Sequence, residues 1–219
     1  MIDGRQFILW GSAGHAKVLA GLISLYKGKI VALFDNNPKA VSVVPDVPLF
    51  IGQDAFINWI TESEKNYQKL YGLIAIGGAR GHDRLLLQNQ LVKYGVTVDT
   101  IIHPQASVCD TAILGLGTQV LAQAVVSADV VVGDGCIINH RASVDHECLL
   151  GDGVHLAPGA TLCGCVTIGN NVMVGAGAVL LPRITIGDDT IVGAGAVVTH
   201  DLPVRVIAVG NPARIIRNR

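Results

Sequence analysis

The sequence predicts two fold classes in one chain, a small parallel α/β layer followed by a parallel β-solenoid. Three observations carry this. Strands alternate with helices over the first hundred residues, aliphatic residues recur at every sixth position from Ile102 to Val198, and 26 glycines punctuate a chain with only 5% aromatic residues. At 219 residues, half of them hydrophobic, the chain can bury a sizeable core in one or two domains. Lys+Arg 16 against Asp+Glu 17 leaves a net charge of −1, so no overall field selects nucleic acid or an acidic membrane, and neither partner is expected. No apolar run approaches the ~18–20 residues of a membrane span. The stretch MIDGRQFILW lacks the basic-then-apolar layout of a signal peptide. Five cysteines, an odd number, fit reduced thiols better than a disulfide framework, so a soluble cytoplasmic chain is expected.

Taken in order, QFILW (6–10) reads as a strand stopping at Gly11, and a helix is expected from His15 to Tyr26. KIVALFD reads as a second strand ending at Asp35, followed by a weaker helix over Asp54–Ile60. A strand over Gly72–Gly78 leads to a helix from about Asp83 to Tyr94, and VTVDTII closes the segment. This alternation means a parallel, Rossmann-like α/β domain, drawn here as residues 1–101. Gly11-x-x-Gly14, after a strand and before a helix, suits an anion facing the free N–H groups of a first helical turn. An ordinary tight turn needs the same pair, and Leu9 stands where a dinucleotide fingerprint has another glycine. Asp35 reads either as an acceptor for a ribose or base, or as a plain turn residue.

Stepping by six from Ile102 to Val198 meets an aliphatic residue at 17 of 17 positions. If about a third of residues are aliphatic, chance gives this roughly once in 10⁸ trials. Four residues after each aliphatic comes a mostly small or β-branched one, such as Ala124, Cys136, Ala142 and Cys148. Glycine recurs just after the aliphatic at Gly115, Gly133, Gly151, Gly169, Gly175, Gly187 and Gly193. A period of six is neither helical nor a simple strand alternation. It suits a short flat strand and a bend, where glycine tolerates positive φ and close backbone approach. Repeated bends wind a solenoid that buries one aliphatic stripe. The pattern resembles the left-handed β-helix of hexapeptide-repeat proteins, three hexads to a triangular coil, so residues 18 apart stack; the domain is drawn as 102–219. The cysteines (Cys109, Cys136, Cys148, Cys163, Cys165) are expected to be inert packing residues.

His146 falls on a bend beside Glu147, a carboxylate able to orient an imidazole. Its neighbour one coil on is Gly164, which has no side chain and offers a backbone N–H. A base next to an exposed N–H donor is what acyl transfer requires, the N–H steadying a developing oxyanion. A lone histidine on a bend is also a common solvated surface residue.

The run Val144-Asp-His-Glu-Cys-Leu-Leu-Gly-Asp-Gly-Val-His155, with Ser12-Ala-Gly-His15, resembles the PglD/NeuD group of bacterial sugar acetyltransferases over nearly the whole chain. The resemblance implies a homotrimer using acetyl-CoA on a nucleotide-linked amino sugar or a sialic acid hydroxyl. It makes His146 the general base, Glu147 its partner and Asn139 a residue lining the site. It gives His155, Gly164, Ala176 and Ala194 to acetyl-CoA, and Ser12, Gly14, His15, Asp35, Asn36 and Gly77 to the nucleotide sugar. Members often carry two acids at the end of the second strand, where Asn36 follows Asp35 here.

The reading is an N-acetyltransferase acting on a nucleotide-linked amino sugar, a UDP-4-amino-4,6-dideoxy-hexose, for bacterial glycan biosynthesis, by direct attack. Its alternatives are an O-acetyltransferase on sialic acid or another sugar hydroxyl, and a non-catalytic nucleotide-sugar-binding scaffold. No metal is expected: His140 and His146 take the same place in successive hexads and point from different faces, whereas zinc needs converging ligands. The basic tail Arg214–Arg219 is read as a solvated end or as a partner for a CoA phosphate.

Overall fold

A computed structural model of the protein describes residues 4–63 and 69–219. The chain forms two compact units, Met1–Ile76 with Leu86–Asp99, and Gly77–Leu85 with Thr100–Arg219. Residues 1–3 of the expected first domain lie outside the described residues.

The first unit holds β1 (Gln6–Trp10), α1 (Gly14–Leu25), β2 (Lys29–Asp35), β3 (Leu49–Ile51), α2 (Gly52–Ser63), β4 (Leu70–Ile74), the later part of α3 (Gly81–Lys93) and β5 (Thr97–Val98). Its five strands are parallel in the order β3-β2-β1-β4-β5. The order reverses between β1 and β4, the place where such sheets open a crevice beyond the strand ends. Trp10, Phe34 and Phe56 pack against one another at centroid distances of 5.1–5.7 Å and anchor the core. The fourth strand lies at 70–74 rather than 72–78, and β3 has no counterpart in the sequence reading. LFI is too short to show a period, and it enters the sheet by pairing with Leu33–Asp35.

The second unit is a parallel β-helix. Two-residue rungs, from Ile101–Ile102 to Val197–Val198, fall into three sheets and pair strictly 18 residues apart, as in Val126↔Val144↔Leu162. Within most rungs the second residue points inward and is buried, while the first faces out. Val120, Val144, Leu156, Leu162, Val174 and Leu180 are all 0% exposed. The small partners Ala124, Cys136, Ala142 and Cys148 fill the remaining interior. The stack ends where Val206–Val209 continues one sheet and Arg214–Asn218 pairs antiparallel to it.

The bends correct one expectation. The glycines directly after the aliphatics are not the left-handed residues. Positive φ falls two places later, at Gly117, Gly135 and Gly153, but equally at Asp129, Glu147, Cys165 and Asn171. Gly115, Gly133, Gly151 and Gly169 are small for a different reason. On this corner Asp134, Asp152, Asn170 and Asp188 form a ladder, each Oδ1 accepting the backbone N–H 18 residues earlier at 2.7–2.8 Å. A Cβ on any of those glycines would collide with the ladder.

The segment Gly77–Leu85, drawn from sequence within the first domain, groups with the β-helix because Arg84 fastens it there. Arg84 is 1% exposed; its Nε donates to Gly135 O at 2.9 Å, Nη2 to Gly153 O at 2.5 Å and Nη1 to Gly78 O at 3.2 Å. Burial pulls its pKa down to about 10, so the buried group is still a cation at neutral pH. No described helix is long and apolar enough to cross a membrane.

Candidate active site

His146 and Glu147 sit at the bend after the rung Ser143–Val144. Glu147 has φ +58°, which turns its side chain back along the corner. Its Oε2 lies 2.9 Å from His146 Nδ1. An ionised carboxylate only accepts, so Nδ1 is the donor in this contact, and it is the neutral form of the ring that keeps a lone pair on Nε2. Backbone bonds hold the pair: Glu147 N–H to Ala128 O at 2.9 Å and His146 N–H to Asp145 Oδ1 at 2.8 Å. Both side chains are half-exposed.

Gly164 lies one coil on. A Cβ built there would stand 2.5 Å from His146 Nε2 and 2.6 Å from Cε1, so the imidazole rests in the space a side chain would fill. Gly164 O accepts from Arg183 N–H at 3.1 Å, whereas its own N–H has no acceptor among the described residues. The stacking of His146 on Gly164 is what the 18-residue period predicts.

A second cluster forms around His155, which is 6% exposed. Gly78 N–H donates to its Nδ1 at 2.7 Å. Asn139 Nδ2 stands 3.1 Å from its Nε2, and Asn139 Oδ1 accepts from His140 N–H. Gly77 belongs here, since a Cβ on it would come 3.5 Å from His155 Cε1. Ala176 and Ala194 stack as exposed bend residues; Ala176 O accepts from Gly195 N–H, while neither alanine N–H has an acceptor among the described residues.

Ser12, Gly14, His15, Asp35 and Asn36 belong to the first unit, at the C-terminal ends of β1 and β2 and the start of α1. Gly11 is dictated by packing, with φ +112° and only 2.5 Å between a Cβ and Ala75 O. Gly14 is not: it is exposed and a Cβ on it would meet nothing. Ala13 caps α1 without a side-chain hydrogen bond, and no acid sits in the first turn. Asp35 ties the turn to β2, Oδ2 accepting from Ser12 N–H and Oδ1 from Asn37 N–H, both at 2.8 Å. Ser12 Oγ donates to Val41 O at 2.6 Å. Asn36 is exposed.

Two features escaped the sequence reading. Cys165 is not interior packing: it occupies the left-handed corner above Glu147, partly exposed, with Sγ 3.7 Å from Oε2. Cys148 does point inward, and burial pushes its thiol up to about 11. Arg219 is not a free basic end, for its guanidinium donates to Asp189 O and Ala79 O, each at 2.9 Å.

Residues 129–164 and 165–200 match the bacterial transferase hexapeptide (six repeats) family. The perosamine N-acetyltransferase of Caulobacter crescentus, solved as a histidine variant with CoA and GDP-perosamine, superposes with a TM-score of 0.86 at 35% identity, covering 100% of this chain and 99% of that one. The chain belongs to the hexapeptide-repeat sugar acetyltransferases of the PglD/NeuD type. Within this family, the acetyltransferase domain of PglB from Neisseria gonorrhoeae FA1090, solved with acetyl coenzyme A, matches at 30% identity and TM-score 0.83 over 98% of this chain and 100% of that one. WeeI from Acinetobacter baumannii AYE matches at 26% and 0.85, over 97% and 100%. Among curated sequences, a probable M18 family aminopeptidase 2 of Pseudomonas aeruginosa (strain UCBPP-PA14) is 28% identical over 111 residues, 48% of this chain. The chain spans about a quarter (26%) of the length of these curated relatives.

Proposed function

We propose that this chain transfers the acetyl group of acetyl-CoA to the amine of a nucleotide-linked amino sugar. The observation that carries the reading is the imidazole of His146, proton-bearing at Nδ1 against Glu147 and resting by Nε2 on bare Gly164. The neutral amine attacks the thioester carbonyl carbon while Nε2 takes the amine proton. The Gly164 N–H, free of a protein acceptor, donates to the oxyanion. The C–S bond then breaks, and the imidazolium returns its proton to the departing thiolate, leaving CoA thiol and the amide. No acyl-enzyme forms, and the inward-facing Cys148 takes no part.

His155 and the open backbone at Ala176 and Ala194 hold the pantetheine arm, with Asn139 beside His155. The uncapped start of α1, left clear by Gly14, takes the diphosphate, with Ser12, His15, Asp35 and Asn36 around the nucleotide. The sugar carrier is GDP or UDP; the Caulobacter enzyme was solved with GDP-perosamine. Five unpaired thiols suit a reducing cytoplasm. We assign the active form to a homotrimer, whose partner surface includes the outward stripe Ile113, Val131 and Leu149, stacked in one sheet and 63%, 38% and 48% exposed.

CoA thiol release from acetyl-CoA, followed over GDP- and UDP-linked 4-amino-4,6-dideoxy-hexoses and free sialic acid, tests the reading. Turnover is expected with an amine and not with sialic acid, and His146→Ala should lower kcat about 10²–10⁴-fold. Near-full turnover by that variant would overturn the assignment.

A further inference from the structure

Asp129, Glu147, Cys165 and Arg183 stack at 18-residue intervals on one corner, all with φ between 58° and 64°. The left-handed backbone turns each side chain to the outside, beside the column that carries His146 and Gly164. The consequence is a mixed donor set. Glu147 Oε2 stands 2.9 Å from His146 Nδ1 and 3.7 Å from Cys165 Sγ, and one ligand atom from each of the three residues lies within 4.8 Å of the others.

We propose that His146, Glu147 and Cys165 form an inhibitory binding site for a borderline-soft divalent ion, Zn²⁺ or Cd²⁺. Imidazole nitrogen, carboxylate oxygen and thiolate sulfur are together a zinc-type set, whereas Mg²⁺ and Ca²⁺ select oxygen alone. Ligands of a tetrahedral zinc ion stand about 3.5 Å apart. The observed spacings bracket that value, so small side-chain rotations close the site. Those rotations are open to His146 and Glu147, which are 52% and 62% exposed. The backbone is held meanwhile, Cys165 N–H donating to His146 O and Glu147 N–H to Ala128 O, both at 2.9 Å. Binding releases the thiol proton to solvent, shifts the His146 ring proton from Nδ1 to Nε2 so that Nδ1 ligates the ion, and leaves the fourth position to water. The ion takes His146 out of service by occupying its ring nitrogen and the carboxylate that orients it. This inhibition rests on the acetyltransferase reading; ion binding does not.

Chelator-treated protein is titrated with Cd²⁺, without acetyl-CoA or sugar, and the ultraviolet sulfur-to-cadmium charge-transfer band is recorded. One ion per chain is expected. The band should vanish in Cys165→Ser and Cys165→Ala, weaken at least about tenfold in affinity in His146→Ala, and persist in Cys163→Ser. In the thiol-release assay, Zn²⁺ should inhibit the unsubstituted enzyme reversibly by chelator. Half-inhibition, taken against each variant's own metal-free rate, should need at least about tenfold more Zn²⁺ in Cys165→Ser. A band that survives both Cys165 substitutions, or equal Zn²⁺ sensitivity with and without Cys165, overturns the proposal. Absence of any acetyl transfer would overturn the functional reading alone, since the Cd²⁺ titration still decides the site.

Discussion

His146 and Gly164 share one volume: the Nε2 of the first lies 2.5 Å from where a Cβ of the second would be. Gly164→Ala therefore pushes the imidazole off its seat. The ring is half-exposed and can swing outward, so the fold absorbs the methyl group cheaply. We expect kcat to fall about 10²-fold, since misplacing a reacting group by about 1 Å costs that much, while Tm moves by no more than a few degrees. Steady-state kinetics alongside a thermal melt check this; unchanged kcat would mean that the stacking has no catalytic consequence.

Glu147 reaches the imidazole through one hydrogen bond, its Oε2 on His146 Nδ1 at 2.9 Å, and the same oxygen accepts from Cys165 Sγ at 3.7 Å. Glu147→Gln keeps the shape but removes the negative charge that favours an imidazolium, and an amide presenting its NH₂ would force the proton onto the other nitrogen. The expected result is a kcat about 10–10³-fold lower with KM for acetyl-CoA little changed. A KM effect alone would move Glu147 from proton transfer to binding.

How far these relationships were legible depends on their distance along the chain. An inward residue must fill the prism at every rung, so the run from Ile102 to Val198 writes the coil directly into the sequence, and the 18-residue period puts His146 over Gly164 by counting. The same counting places Cys165 over Glu147, but which way a corner side chain turns follows from the φ of +61° at Cys165, which a cysteine does not advertise. Glycines after the aliphatics looked like bend residues because positive φ and crowding by an aspartate ladder both select glycine. Arg84 was hidden for another reason: its partners are the backbone carbonyls of Gly135, Gly153 and Gly78, and carbonyls leave no sequence signature.

That arginine makes a stability prediction. Arg84→Ala strands three carbonyls, at least two of them in buried surroundings, without their donors. We expect a loss of about 3 kcal/mol, or a fall in Tm of about 10 °C for a chain of this size. Arg84→Lys, whose single ammonium cannot span three acceptors, should recover only part of it. Equal melting of Arg84→Ala and the unsubstituted protein would show that the segment Gly77–Leu85 is held by other contacts.

Cys136 supplies the pH dependence. It is 0% exposed, and burial pushes its thiol up to about 12, while an unfolded thiol ionises near pH ~8.5. The sign follows from proton counting. Above about pH 8.5 the unfolded chain releases this proton and the folded one does not, so stability contributed by the neutral thiol is complete below that pH and is lost as pH rises toward about 12. The slope is about 1.4 kcal/mol per pH unit for one such group. Cys148, raised in the same direction to about 11, adds to it. Denaturant unfolding at pH 8 and pH ~10 should show the loss, and Cys136→Ala should flatten it even though the cavity lowers stability at both pH values. Cys109, whose thiol is held below its ordinary value by hydrogen bonds from the Thr111 backbone and hydroxyl, should be alkylated first in the folded protein, with Cys136 inert until unfolding. An undiminished slope in Cys136→Ala would mean that another group drives the alkaline transition.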